Sequence, residues 1–150
     1  MFKSALSRLM TTDSSLASLV LRVPTGIIFM AHGSQKLFGA FGGYGLEGTG
    51  QWMASIGIEP GYLMALLSGS GEFFGGLAIL LGLLTRPAAA VLAFIMLVAI
   101  LTVHIGNGLF ASNNGYEYAL ALLTIAASLV ITGGGKLSLD RLLSTARHVA

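Results

Sequence analysis

The stretch YLMALLSGSGEFFGGLAILLGLLTRPAAAVLAFIMLVAILTVHI, residues 62–105, decides the fold. Its only formal charges are Glu72 and Arg86. The apolar runs on either side of residues 85–86, Tyr62 to Leu84 and Pro87 to Ile105, each come close to the roughly 20 residues that cross a hydrocarbon core about 30 Å thick. Proline in the first turn of a helix gives up an N–H that has no partner there anyway. Thr85-Arg86-Pro87 therefore reads as the tight turn of a helical hairpin made of two membrane spans.

Two more apolar segments flank the hairpin, Leu16 to Leu37 and Tyr118 to Thr132, the latter borrowing Glu117 or Gly133 to Gly135 at its ends. Composition agrees with four spans. Of 150 residues 55% are hydrophobic and 9% charged, against about 25% charged in soluble domains, and the mean hydropathy is +0.84. The expectation is an all-α integral membrane four-helix bundle, one domain over residues 1–150. Lys3 and Arg8 ahead of an apolar run resemble a signal peptide, but Arg22 interrupts the run and no small-x-small cleavage site follows, so the segment reads as an uncleaved first span. The lack of cysteine excludes disulfides, thiolate metal sites, iron–sulfur ligation and cysteine nucleophiles.

Orientation follows from the basic residues. Lys3, Arg8, Arg86, Lys136, Arg141 and Arg147 fall on one side of the spans, while the opposite loops offer only Lys36 at a helix edge. The positive-inside rule then places both termini in the cytoplasm, with loops 38–60 and 106–116 outside. Basic residues scattered in this way report topology and exclude nucleic acid as a partner. Loop 38–60 is rich in glycine and carries Trp52 and Tyr44, suited to the headgroup level, with a short interfacial helix at 51–56. The tail from Lys136 to Ala150 is amphipathic.

Polar residues inside the spans carry the chemistry. Arg22, Thr25, Phe29, His32 and Lys36 are spaced 3, 4, 3 and 4 apart and form one stripe of the first helix, which has to turn from lipid. Glu72, eleven residues from Gly61, lies about 16 Å into the bilayer. Counted inward from Leu37, His32 is about 8 Å deep and Arg22 about 22 Å, so an Arg22–Glu72 pair is expected, serving helix register, a ligand, or both. His104 and Glu117 bound the third and fourth helices at the level of His32 and Lys36, which makes a shared polar cluster. Glu117, Thr124 and Ser128 share a face of the fourth helix that is expected to aim inward. Gly71-x-x-x-Gly75 is a close-packing motif.

Some motifs carry no function. Gly43-Tyr44-Gly45-Leu46-Glu47-Gly48 matches the dinucleotide fingerprint by letter but has neither the strand nor the βαβ unit that would aim a helix N-terminus at pyrophosphate. His32, His104, Glu72 and Glu117 include no Glu-x-x-His or His-x-x-x-His pair on one helix, so no metal site is assigned. His32 and His104, from different helices at similar depth, form a second-ranked pair of axial ligands for haem b.

Arg22-Val23-Pro24-Thr25-Gly26, His32-Gly33-Ser34-Gln35-Lys36-Leu37-Phe38-Gly39, Glu72-Phe73-Phe74-Gly75-Gly76, Gly82-Leu83-Leu84-Thr85-Arg86, Ala99 to His104, Gly115-Tyr116-Glu117-Tyr118-Ala119 and Lys136 to Asp140 follow in an order that resembles the DoxX family, from residue 20 to 141. The resemblance implies small four-helix proteins of the bacterial inner membrane assigned as oxidoreductases. Relatives act in quinone-linked sulfur oxidation, in quinone or catechol resistance, and in membrane complexes with detoxifying redox enzymes. It also implies that Arg22, His32, Lys36, Glu72, Arg86, His104 and Glu117 stand where the family places its polar groups. The lack of cysteine removes any direct thiol chemistry carried over from relatives.

Two functions of different class follow. The first is a quinone-linked oxidoreductase subunit. Glu72 and His104 would exchange protons as its catalytic residues, and Arg22, His32, Lys36 and Glu117 would bind the cofactor by donating to or orienting its oxygens. Phe29, Phe73 and Phe94 are candidates to pack the ring. Such a subunit takes its electrons from a partner, a soluble redox enzyme. The second is a non-enzymatic scaffold or a transporter of protons or small solutes, with homo-oligomerisation compensating for its small size.

Overall fold

The computed structural model describes Thr12 and residues 15–149, with side chains up to residue 145. Lys3 and Arg8 lie outside the described residues. All regular structure among the described residues is helical. The helices are α1 (Ala17–Phe38), α2 (Gly45–Ser55), α3 (Gly61–Leu81), α4 (Thr85–Ala99), α5 (Glu117–Thr132) and α6 (Leu139–Val149). α4 runs on through a π-helical turn, Ile100–His104, and a 3-10 turn, Ile105–Asn107. The short helix in the glycine-rich loop extends from Gly45 to Ser55, longer than the 51–56 expected.

Among the described residues two helices, Gly61–Leu81 and Thr85–Asn107, are long and apolar enough to cross a membrane. α1 has the length, 22 residues, but Arg22, His32, Gln35 and Lys36 dilute its hydropathy, and α5 has 16 residues. Alongside an apolar core, the distribution of buried polar and exposed apolar residues departs from that of a water-soluble domain. Arg22, Thr25, Glu72, Thr85 and Asp140 are buried, while Val20, Ile27, Leu67, Phe74, Phe94, Leu97 and Ile131 are exposed. A surface of this kind suits lipid, where a polar group is costly on the outside and has to find its partner within.

α1 and α3 lie antiparallel in the closest contact of the structure. A Cβ added to Gly33 would stand 2.8 Å from the Gly69 carbonyl oxygen and 2.5 Å from the Phe73 nitrogen, and one added to Gly26 would stand 2.8 Å from the Gly76 oxygen. The two glycine pairs, 26/33 and 69/76, recur every seven residues on both helices, so one seam runs down the interface. Where lipid is as apolar as leucine, helices associate by such backbone proximity and not by hydrophobic burial. Gly71 and Gly75 of the expected motif face α4 instead, against Ile95 and Leu92.

α4 packs on α5 through a core that includes Ala89, Leu92, Met96, Ala119, Leu122, Ala126 and Leu129. The inward face of α5 is thus 119, 122, 126 and 129, which corrects the expectation for Glu117, Thr124 and Ser128. Thr124 is exposed and gives its hydroxyl to the Ala121 carbonyl 2.8 Å away. A threonine that satisfies its hydroxyl on its own helix has no need of the interior.

The helix ends opposite α2 are tied together by the chain after α5. Asp140 accepts from the Leu84 N–H at Oδ1, 2.7 Å, and from the Thr85 N–H at Oδ2, 2.9 Å, capping α4 with a residue 55 positions away. Gly82 ends α3 in the left-handed region (φ 68°), where a Cβ would strike Ser138 at 2.5 Å. Pro87 is the third residue of α4, not its first, and its missing N–H is still among the four that no helix satisfies.

Candidate functional site

Glu72 is 1% exposed, in the middle of α3. Its Oε1 accepts from Lys36 Nζ of α1 at 2.5 Å, and its Oε2 is buried with no hydrogen-bond partner among the described residues. The expected Arg22–Glu72 pair does not form. The seam sets the register: Gly33 meets Gly69 and Phe73, and Gly26 meets Gly76 and Leu80, so Glu72 is level with His32 and Gly33, while Arg22 reaches Gly82. Depths counted from Leu37 and from Gly61 take these two ends as level. α3 in fact starts about 8 Å, some five residues, beyond the end of α1, where α2 packs against it.

Arg22 has another occupation. Its guanidinium, 2% exposed, donates through Nε to Gly134 O (3.0 Å), through Nη1 to Ile79 O (3.3 Å) and Leu80 O, and through Nη2 to Leu137 O (2.7 Å). These carbonyls belong to the end of α3 and to the chain between α5 and α6. A guanidinium presents five donors in a fixed plane, and no other side chain can reach as many acceptors from one point. Arg22 thus stands apart from Glu72, at the other end of α1.

Lys36 and Glu72 open onto a cavity of about 650 Å³ between α1, α3, α4 and α5, closed at one end by Trp52 and Met53 of α2. Its walls are mainly apolar, with Phe29, Ile95, Met96 and Leu122 among them, and its polar groups are few: His32, Lys36, Ser68, Glu72, Thr102, His104, Asn114 and Tyr118. Exposed Leu67 of α3 and Val91, Phe94 and Val98 of α4 belong to the same lining, so the cavity reaches the apolar surface between those helices. Concave, mostly apolar, and furnished with a few convergent polar groups, this is the form of small-molecule sites of about 300–1,000 Å³.

The structure brings four of the six expected residues to this cavity: Glu72, His104, His32 and Lys36. His104 sits in the π-helical turn, a departure from α-helix that recurs at functional sites. Its Nδ1 is 2.9 Å from the Asn114 carbonyl. A carbonyl oxygen only accepts, so Nδ1 carries the proton, and Nε2 is an acceptor when the ring is neutral. The His32 ring lies 6.2 Å from that of Tyr118. Arg22 and Glu117 are not brought here. Glu117 Oε1 accepts from the Ala111 N–H at 2.6 Å and fixes the loop before α5.

Phe29 and Phe94 line the cavity, whereas Phe73 packs edge-on against Phe38 and Phe74. Ser68, Thr102, Asn114 and Tyr118 are cavity residues that the sequence does not single out as part of a site. Tyr118 and Leu122, four residues apart and so on one helical face, carried a signal that Glu117 obscured.

A profile of the DoxX family matches residues 17–105, the segment that supplies Arg22, His32, Lys36, Glu72 and His104. The chain is 37% identical to "Putative oxidoreductase CatD" of Bacillus subtilis over 87% of this chain and 90% of that protein. It is 38% identical to "Inner membrane protein YqjF" of Escherichia coli over 84% of this chain and 91% of that one. "Inner membrane protein YphA" of Escherichia coli is 30% identical over 82% and 87%. No solved structure matches the chain.

Proposed function

The chain belongs to the DoxX family, and we propose that it is a quinone-linked oxidoreductase subunit of the bacterial inner membrane, with the 650 Å³ cavity as the quinone site. The observation that carries this reading is the buried, unpartnered Oε2 of Glu72 at the wall of an apolar cavity. A buried acceptor without a donor costs about 1–3 kcal/mol, more when charged, and that cost is recovered by a ligand that brings the donor. A quinol hydroxyl is such a donor. Lys36, with one of its three N–H groups on Glu72 and its side chain part-exposed, can give another to a quinone carbonyl.

Both redox forms of one ring therefore find a partner at the same pair of side chains. Phe29, Leu122 and Ile95 hold the ring apart from water, and the lipid-facing gap at Leu67 and Phe94 admits a ligand with an isoprenoid tail. His104, with Nε2 as acceptor, is placed to hold a proton at the far wall. Electrons come from a soluble redox enzyme that docks on the membrane protein. In this reading the four long helices form a transmembrane bundle with both termini cytoplasmic. Arg86, Lys136 and Arg141 lie at the end that carries α6, and loops 39–60 and 106–116 lie at the other.

The test is an absorption spectrum of the protein purified in mild detergent, with chromatography of its organic extract. A stoichiometric quinone, lost in Glu72→Ala and His32→Ala, is the expected result. Retention of quinone in both variants would overturn this site. A Soret band would transfer the redox role to haem held by His32 and His104, and a colourless, quinone-free protein would favour a scaffold or transporter.

A further inference from the structure

Lys36 is the boundary between two cavities. Besides the 650 Å³ cavity it lines a second one of about 470 Å³, formed with Gln35 of α1 and with Tyr44, Gly48, Thr49 and Trp52 of the α2 segment. Trp52 is the other residue that the two share. The second cavity lies on the α2 side of the molecule, and exposed Tyr44 and Trp52 stand at its wall. The Lys36 side chain is 26% exposed, whereas that of Glu72, whose Oε1 lies 2.5 Å from Nζ, is 2% exposed. One group of the pair is therefore partly open to the cavities and the other is enclosed.

We propose that the second cavity is an aqueous vestibule, and that Lys36 is the proton-transfer residue through which Glu72 exchanges protons with water on the α2 face. This rests on the reading of the larger cavity as a quinone site only for the origin of the proton. The step balances without electrons. A Lys36 N–H bond breaks and a vestibule water takes the proton. A ligand O–H breaks as Glu72 Oε2–H forms, and the carboxylic acid then returns its proton to the Lys36 amine, restoring the ion pair. The net change is one proton moved from the ligand to water on the α2 face, and the reverse order moves one inward. The other titratable groups facing the pair, His32 on α1, His104 after α4 and Tyr118 on α5, all stand in the larger cavity. None of them lines the vestibule, so Lys36 is the titratable group common to both spaces.

A chain without cysteine allows a clean test. Lys36→Cys, in sealed oriented vesicles, is expected to react with a charged, membrane-impermeant thiol reagent only from the face that modifies Gln51→Cys, and not from the face that modifies Leu142→Cys. Glu72→Cys is expected to react at least tenfold more slowly. Gln35→Trp, which fills the vestibule, is expected to slow the Lys36→Cys reaction about tenfold while leaving Gln51→Cys unchanged. Should Lys36→Cys fail to fold, acylation of native Lys36 by a sulfonated amine reagent, mapped by mass spectrometry, gives the same reading, with Lys136 marking the opposite face. Modification from the Leu142 face, or none at Lys36 when Gln51→Cys reacts completely, would overturn the proposal. Quinone content is scored separately, so loss of the quinone reading and loss of the vestibule are distinguishable.

Discussion

Lys36 Nζ and Glu72 Oε1 meet at 2.5 Å across the α1–α3 seam, while Glu72 Oε2 is left without a partner. The pair holds its two helices in register and still has an acceptor to offer. Removing only Lys36 strands a carboxylate in an apolar interior, which costs about 3–5 kcal/mol, whereas replacing both members by apolar groups of similar size is close to neutral. Lys36→Met is therefore expected to lower the melting temperature in detergent far more than Lys36→Met/Glu72→Leu does. Equal melting temperatures would mean that the stranded charge is not what the single variant suffers from.

Glu72→Gln separates stability from binding. The amide oxygen can take over the Lys36 hydrogen bond, but the atom in place of Oε2 becomes an NH₂, a donor where an acceptor stood. Melting is expected to stay near that of the native chain, while affinity for quinol falls at least tenfold, in keeping with about 1.5–3 kcal/mol for a hydrogen bond to a charged group. Titration with a soluble short-chain quinol checks this, and unchanged affinity would remove Oε2 from the site.

Arg22 is expected to behave in the opposite way. Its guanidinium serves carbonyls at Ile79, Leu80, Gly134 and Leu137 and does not line the cavity. In Arg22→Lys one ammonium cannot span acceptors held by a planar fork, and buried carbonyls lose their donors at about 1–3 kcal/mol each. Reduced accumulation and a lowered melting temperature are expected, with quinone stoichiometry unchanged in the protein that folds. Loss of quinone at normal stability would show that Arg22 acts on the site.

The contrast between Arg22 and Lys36 marks where the sequence is legible. A stripe of polar residues at helical spacing marks Arg22, Thr25 and Phe29, which are fully buried, and Lys36, which is half-buried, whereas His32 of the same stripe is exposed, at the wall of the cavity. Helix limits are also readable, because turn residues such as Gly82, Thr85 and Gly133 interrupt apolar runs. Which cation meets Glu72 is not readable from depth counts, since it depends on the offset between α1 and α3. That offset is set by the glycine seam at 26/33 and 69/76, where backbones touch. The partners of Arg22 are backbone carbonyls, which carry no residue-type signature at all. Asp140, capping α4 from 55 residues away, is likewise invisible to local pattern.

The seam itself can be tested. A methyl at Gly33 would stand 2.5 Å from the Phe73 backbone nitrogen, so Gly33→Ala has to push α1 and α3 apart. Overpacking of this kind costs about 1–3 kcal/mol. Gly106, with nothing within 4 Å of an added Cβ, is the control, and Gly106→Ala is expected to change stability by no more than about 0.5 kcal/mol. Because the seam also sets the Lys36–Glu72 register, Gly33→Ala is expected to weaken quinone binding although residue 33 does not line the cavity. Normal binding in a destabilised Gly33→Ala protein would show that the pair tolerates a shift of the helices.

Val98 tests the cavity independently of its polar groups. It lines the wall on α4 and is 37% exposed, so a larger side chain there has open space beside it and can enter the cavity without displacing a packed neighbour. Val98→Trp adds an indole to the space assigned to the quinone ring and leaves Lys36, Glu72 and His104 untouched. Substitutions at exposed positions are usually within about 0.5 kcal/mol of neutral, so the melting temperature is expected to hold while quinone stoichiometry falls. If the variant retains full quinone, the ring does not occupy this volume, and the effect of any Glu72 variant on binding has to arise through helix packing. If it loses quinone but Lys36→Cys remains accessible from the α2 face, the two cavities are separable in function as they are in space, joined only through the Lys36–Glu72 pair.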